Sequence, residues 1–322
     1  MPGEFMRTSE MDRITGLKTH KDKIDQEEHS LSFFPKQKED ALFLKWPRVI
    51  SVSSGKGGVG KTNVVANLAF AFTQLQKRVL VLDADLGLAN IDVLLGLTSQ
   101  YTMEHLLKRE KRIFDILIKG PGGMSIMPAS SGVLELVELN ESQKIFLLNE
   151  LDLLAETVDI LLIDTAAGIS ANVLYFNLAA EESIVISTPE PTSITNANTL
   201  IKVLSTKYKK KNFTILINSA HNSQEAREVY KKISLFVDHF LGSLSIDYLG
   251  FIPFDEKLPK AVKHQKPVLE LYPEAISSRS FIKVAKILAE KPLRNETNGN
   301  VQFFWKHLLR YHQALEKNRG AN

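Results

Sequence analysis

The stretch Ile50-Ser51-Val52-Ser53-Ser54-Gly55-Lys56-Gly57-Gly58-Val59-Gly60-Lys61-Thr62 decides how this chain is read. Its first residues are short and partly β-branched, as in a buried strand. A glycine-rich turn follows, and residues 63–75 then carry a helical pattern. Together they satisfy G-x-x-x-x-G-K-[ST] in the strand–loop–helix context that the pattern requires. The glycines permit backbone conformations that aim N–H groups inward at a polyphosphate. The start of the helix adds a partial positive charge at the same place. Gly55, Lys56, Gly57, Gly58, Val59, Gly60, Lys61, Thr62 and Asn63 are therefore the expected cradle of a nucleotide's phosphates. Lys61 is expected to reach the β- and γ-phosphates, and the Thr62 hydroxyl to bind Mg²⁺.

Outward from this loop, short apolar runs recur at 49–53, 79–83, 124–128, 160–164, 183–187, 213–218 and 248–253. Most are apolar on both parities, as strands covered on both faces must be. Helical stretches separate them. The pattern predicts an α/β fold, a mostly parallel P-loop-type sheet flanked by helices. A last core helix is expected over 278–289. The domain reading is an N-terminal extension over 1–47, one nucleotide-binding domain over 48–290, a polar linker over 291–300 and an amphipathic tail over 301–322.

Composition narrows the function. Hydrophobic residues make up 44% of the 322, enough for one large core. The net charge of +3 gives no global case for a nucleic-acid binder. There is no cysteine, which removes thiolate metal sites, iron–sulfur clusters and disulfides. No apolar run approaches the roughly 20 residues that span a bilayer. The chain is expected to be cytoplasmic, soluble or peripheral on the membrane.

Two acidic features follow the loop in sequence. The second strand ends in Asp83-Ala84-Asp85, and a later one, Ile160-Leu161-Leu162-Ile163, ends in Asp164. Both put carboxylates at the carboxyl edge of the sheet, where ligands bind in open α/β folds. Near the end of the chain, Val301, Phe304, Trp305, Leu308, Tyr311, His312 and Leu315 share one helical face. Gln302, Lys306, Arg310, Gln313 and Lys317 share the other, and Phe303 breaks the pattern. Aromatic and leucine residues opposite lysine and arginine form the profile of an interfacial membrane helix.

The early lysine in Lys56-Gly57-Gly58-Val59-Gly60-Lys61-Thr62 makes the chain resemble the deviant Walker-A ATPases, MinD, ParA and their relatives. The resemblance covers about 48–290. It implies that Lys56 crosses a homodimer interface to the partner's nucleotide. It also implies that Asp85 orients the attacking water, while Asp83 and Asp164 support the Mg²⁺ shell with Thr62. Thr165-Ala166-Ala167-Gly168 stands where the family usually reads D-[ST]-P-A-G, with Ala166 in place of proline. Asn218 is expected to read the adenine edge, and Pro253, in Gly250-Phe251-Ile252-Pro253-Phe254-Asp255, to pack by the base.

Within that family, Thr188-Pro189-Glu190-Pro191-Thr192-Ser193 and Ala129-Ser130-Ser131-Gly132 resemble segments of the FlhG group, MinD-like regulators of flagellar number and placement. Asp25-Gln26-Glu27-Glu28-His29 looks like the start of that group's short helix for the GTPase FlhF, with Glu27 in place of alanine. The resemblance implies FlhF, an anionic membrane and a flagellar C-ring or transcription regulator as partners. The alternative is a chromosome- or division-site-positioning ATPase. Lys207-Tyr208-Lys209-Lys210-Lys211 is a strong basic run, read as a solvated loop rather than a nucleic-acid patch.

Overall fold

In the computed structural model the residues described are 47–85, 91–127, 141–242 and 244–292. They include strands β1 (Arg48–Ser54), β2 (Val79–Ala84), β3 (Ile118–Lys119) and β4 (Ser125–Met127). Strands β5 (Ile160–Ala167), β6 (Glu182–Ser187), β7 (Asn212–Ala220) and β8 (Ser245–Pro253) follow. Helix α1 (Lys61–Gln74) follows β1. Short helices α2 (Ile91–Leu94), α3 (Met103–Leu107) and α4 (Ile113–Ile116) precede β3. Helices α5 (Glu141–Ala155), α6 (Ala171–Ala179), α7 (Pro191–Tyr208) and α8 (Ser223–Phe240) connect the later strands. The described part closes with α9 (Lys257–Lys263), α10 (Val268–Leu271) and α11 (Ile276–Glu290).

The strands form one eight-stranded sheet in the order β3-β4-β2-β5-β1-β6-β7-β8. All the pairings are parallel except the β3–β4 edge. Each apolar run read from the sequence is a strand of this sheet, and the run 160–164 extends to Ala167. β3 was not anticipated, because a two-residue strand is too short to show a periodicity.

Both faces of the sheet are covered. On one, Ile50, Val52, Val81 and Leu162 pack with Leu68 and Phe72 of α1 and with Phe281 and Leu288 of α11. On the other, Leu80, Leu82, Leu161 and Ile163 pack against Leu147 and Leu151 of α5 and Phe176 of α6. Burial on both parities explains why these strands read as continuous apolar runs rather than alternating ones. β1 lies between β5 and β6, where the chain's winding reverses. Its carboxyl end is thus the crevice at which open α/β sheets bind ligands.

The opposite end of the sheet is tied together by Arg48. Its guanidinium pairs with Glu182 and caps α11 through the carbonyls of Leu288 and Lys291. Lys291 in turn donates to Asp247 at the start of β8, at 2.9 Å. Asp25 and Gln26, the 129–132 segment and the amphipathic stretch 301–315 lie outside the described residues.

Candidate nucleotide site

The loop between β1 and α1 owes its path to two glycines. Gly60 is the N-cap of α1 at φ 81°, a left-handed conformation open to glycine at no steric cost. Gly55 passes so close to α7 that a Cβ there would fall 2.1 Å from the Asn196 carbonyl oxygen. At Gly57 and Gly58 a Cβ would meet nothing within 4 Å, so this side of the loop opens to a ligand.

That open side is a cleft of about 620 Å³, lined by Gly57 to Asn63 together with Asp85, Val93, Ala167 and Gln265. Lys61 is buried at its floor, and its Nζ donates to Asp164 Oδ1 at 2.6 Å. Burial pushes the Asp164 carboxyl above the ordinary carboxylate range, against the lowering influence of Lys61 and the Thr62 hydroxyl. Asp164 Oδ2 is buried without a hydrogen-bond partner.

Asp83 is fully buried and receives the backbone N–H of Asp85 at 3.1 Å and that of Ile91 at 3.3 Å. It therefore braces the segment that carries Asp85, which itself lines the cleft. Gly168, at φ 95°, donates its N–H to Ser54 O at 2.8 Å. In the structure it fastens the turn after β5 to the end of β1.

Lys56 points away from the cleft. Its ammonium pairs with Glu190 and donates to Thr192 Oγ1 at 3.1 Å. Both partners lie in the Thr188–Ser193 segment singled out from sequence. The pair is solvent-exposed, so it orders the side chain only weakly.

Beside the loop is a second cavity of about 450 Å³, with Asn63, Asn218, Ser219, Phe254, Leu258, Val262 and Phe281 in its walls. Asn218 Nδ2 donates to Val59 O at 2.8 Å, while its Oδ1 is buried without a partner. Asn218 thus stands in the wall of an apolar slot beside the phosphate loop. Pro253 is buried on β8 and paired with Ala220, next to the lining rather than in it. The walls from α9 and α11 were not read from sequence, since no local pattern marks a residue that reaches the site through packing.

The residues present fit ATP with Mg²⁺. The loop supplies open backbone, and Lys61 the countercharge. Thr62, in the cleft lining, and Asp164, whose Oδ2 has no partner, would be the oxygen ligands. Among the described residues no three His, Cys, Asp or Glu side chains form a metal cluster. Mg²⁺ suits such a place, because it takes one or two protein oxygens together with phosphate oxygens and water.

Fold and site define a P-loop nucleoside triphosphatase. The ParA family profile, described as NUBPL iron-transfer P-loop NTPase, matches residues 45–289. The antiactivator FleN of Pseudomonas aeruginosa is 42% identical over 82% of this chain and 94% of its own. The flagellum site-determining protein YlxH of Helicobacter pylori is 31% identical over 82% of this chain and 90% of its own. Among solved structures, the MinC:MinD cell division protein complex of Aquifex aeolicus superposes with a TM-score of 0.60. It is 25% identical, covering 78% of this chain and 100% of that one. The chain belongs to the ParA/MinD family: it is an ATPase, and its cofactors are ATP and Mg²⁺. The iron-transfer part of the profile's description finds no thiolate here, because the chain has no cysteine.

Proposed function

We propose that this ATPase regulates the number or placement of flagella, acting as an ATP-dependent homodimer that gathers on an anionic membrane. The likeness to FleN carries the flagellar reading. The outward setting of Lys56, which pairs with Glu190 and Thr192 rather than turning into its own phosphate cleft, supports the dimer. In this reading Lys61 and the loop 55–63 hold the triphosphate, and Asn218 accepts from the base beside Pro253. Asp85 aligns the attacking water. Mg²⁺, held by Thr62 and Asp164 with Asp83 behind them, neutralises charge on the phosphates. Phosphoryl transfer asks a protein mainly for such positioning and electrostatics.

Among the described residues no helix is long and apolar enough to cross a membrane. Residues 301–315, after the linker 291–300, supply the peripheral anchor in this proposal, on the cytoplasmic face. The N-terminal extension 1–47 engages an FlhF-like GTPase. The description of the Pseudomonas relative as an antiactivator favours a transcription regulator as a further partner, with the flagellar C-ring as an alternative. The MinD relatives keep division- or chromosome-site positioning as the second reading.

The test is ATP turnover by the full chain, alone and with anionic liposomes and an FlhF-like GTPase. Co-sedimentation is run in ADP and in ATP. Stimulation by the GTPase and ATP-dependent pelleting are expected. Equal pelleting in both nucleotides would sink the switch, and indifference to the GTPase would shift the function to the second reading.

A further inference from the structure

Gln265 lines the nucleotide cleft, yet no motif marks it. It stands just past α9, in the turn to α10. Its own N–H donates to Val262 O at 2.9 Å, and that of Lys266 to Ala261 O at 3.2 Å. Its φ is 54°, a left-handed conformation. Helices commonly end on glycine at this place, because a Cβ in that conformation crowds the backbone. A glutamine held there stores strain, and residues so held concentrate at functional sites.

The side chain gives the strain a use. Gln265 Nε2 crosses to α2 and donates to Val93 O at 2.9 Å, a bond between residues 172 apart in sequence. Gly96 clears its path. At φ 64°, a Cβ on Gly96 would fall 2.9 Å from Gln265 Oε1 and 3.1 Å from its Cδ. Val93 O also accepts from Gly96 N at 3.3 Å, within its own turn, whereas the bond from Gln265 ties α2 to a different part of the fold.

Both ends of this bridge are fixed to the site. Behind Gln265, Val268 N donates at 2.8 Å to Oδ1 of the buried Asn67, whose Nδ2 donates to Asn63 Oδ1 at 2.7 Å. Asn63 lines both the cleft and the cavity beside it. Behind Val93, the buried Ile91 donates its N–H to Asp83, the carboxylate that also receives Asp85 N. Helix α9, from which the bridge starts, walls the neighbouring cavity through Leu258 and Val262. Gln265 thus closes a circuit of hydrogen bonds and short chain segments around the cleft, from the phosphate-loop helix to Asp85.

We propose that Gln265 is a positioning residue for hydrolysis: it holds α2, and through Asp83 the backbone at Asp85, at a fixed distance from α1 and α9. This rests on the assignment of water alignment to Asp85. The loop 55–63 grips the phosphates without Gln265, so losing the bridge lowers turnover and spares binding.

The test is steady-state ATP turnover of the full chain in Mg²⁺, with thermal unfolding, for Gln265→Gly, Gln265→Glu and Asp85→Ala. Gln265→Gly removes the bridge and the strain together. Its unfolding midpoint should therefore not fall, while kcat drops about fivefold, the worth of one hydrogen bond, at unchanged KM. Gln265→Glu keeps the length but has no proton for Val93 O, and its kcat should drop at least as far. Full turnover by both Gln265 variants beside a slow Asp85→Ala overturns this proposal alone. Full turnover by Asp85→Ala overturns the Asp85 reading and the proposal with it. A raised KM at unchanged kcat would make Gln265 a nucleotide contact and overturns its positioning role. A lower unfolding midpoint in Gln265→Gly, matching its loss of kcat, would make the bridge a brace of the fold and overturns it too.

Discussion

Lys61 Nζ lies 2.6 Å from Asp164 Oδ1, with both groups buried at the foot of the phosphate loop. The loop's own cation and the acid that ends β5 thus compensate each other, and a bound polyphosphate must compete for the lysine. Coupling of this kind ties an anion bound at the loop to the Asp164 carboxylate on β5.

Lys61→Ala should abolish ATP binding in a fluorescent-nucleotide titration. Removing one member of a buried pair commonly costs about 3–5 kcal/mol. Here the low end is expected, because burial already raises the Asp164 carboxyl and protonation can relieve the stranded charge. The midpoint of thermal unfolding should fall by roughly 2–4 °C per kcal/mol. ATP affinity equal to the parent's would remove Lys61 from the site.

Lys56 and Asp85 should separate assembly from hydrolysis. Asp85→Ala is expected to bind ATP, hydrolyse it slowly and accumulate as a dimer. Lys56→Ala is expected to stay monomeric with ATP. Light scattering in ATP and Mg²⁺ reads both. A monomeric Asp85→Ala or a dimeric Lys56→Ala would break the model of two nucleotides between two chains.

Asn218→Leu removes the unpartnered acceptor and the bond to Val59 O together. Leaving such polar groups unmatched costs about 1–3 kcal/mol, or roughly 10–100-fold in ATP affinity. Preference for ATP over GTP should fall with it in a competition titration. Unchanged preference would place base recognition elsewhere.

Asp255 links the end of β8 to α9 and α11. It accepts from Lys257 N at 2.9 Å, Ser277 N at 3.1 Å and Ser277 Oγ at 2.7 Å. Burial pushes its carboxyl up, but these hydrogen bonds outweigh burial and hold it below the ordinary 3.8. A depressed carboxylate contributes stability above the unfolded value and loses it as pH falls through the folded one. Asp255→Ala should therefore cost about 1–2 kcal/mol at neutral pH. In urea titrations the gap to the parent should narrow as pH drops below 3.8. A constant gap would mean that the charge is not what matters.

Deleting residues 1–40 should leave basal ATP turnover intact and weaken the response to an FlhF-like GTPase. An undiminished response would take Asp25 and Gln26 out of the partner contact.

The central strands were legible because they are buried on both faces and say so in consecutive apolar residues, as 160–163 does before Asp164. The phosphate loop was legible because its chemistry is local: glycine, lysine and threonine act within one turn. Long-range closure was not. The bond from Lys56 to Glu190 joins residues 134 apart in sequence. The cavity beside the loop takes its apolar walls from Leu258, Val262 and Phe281, whose spacing looks like any helix packed on a core. The fastening of Gly168 to Ser54 is likewise set by how β1 and β5 lie in register, not by either residue's type.

The contact between Gly55 and α7 bears on transplantation. A methyl at Gly55 would overlap the Asn196 carbonyl, so the loop's curve is moulded on a helix more than a hundred residues downstream. Grafted into a foreign scaffold by its glycine pattern alone, the loop would lose the surface that bends it. A chimera should bind nucleotide only if α7 travels with the loop, and an error in the angle of α7 would show first as a misplaced phosphate.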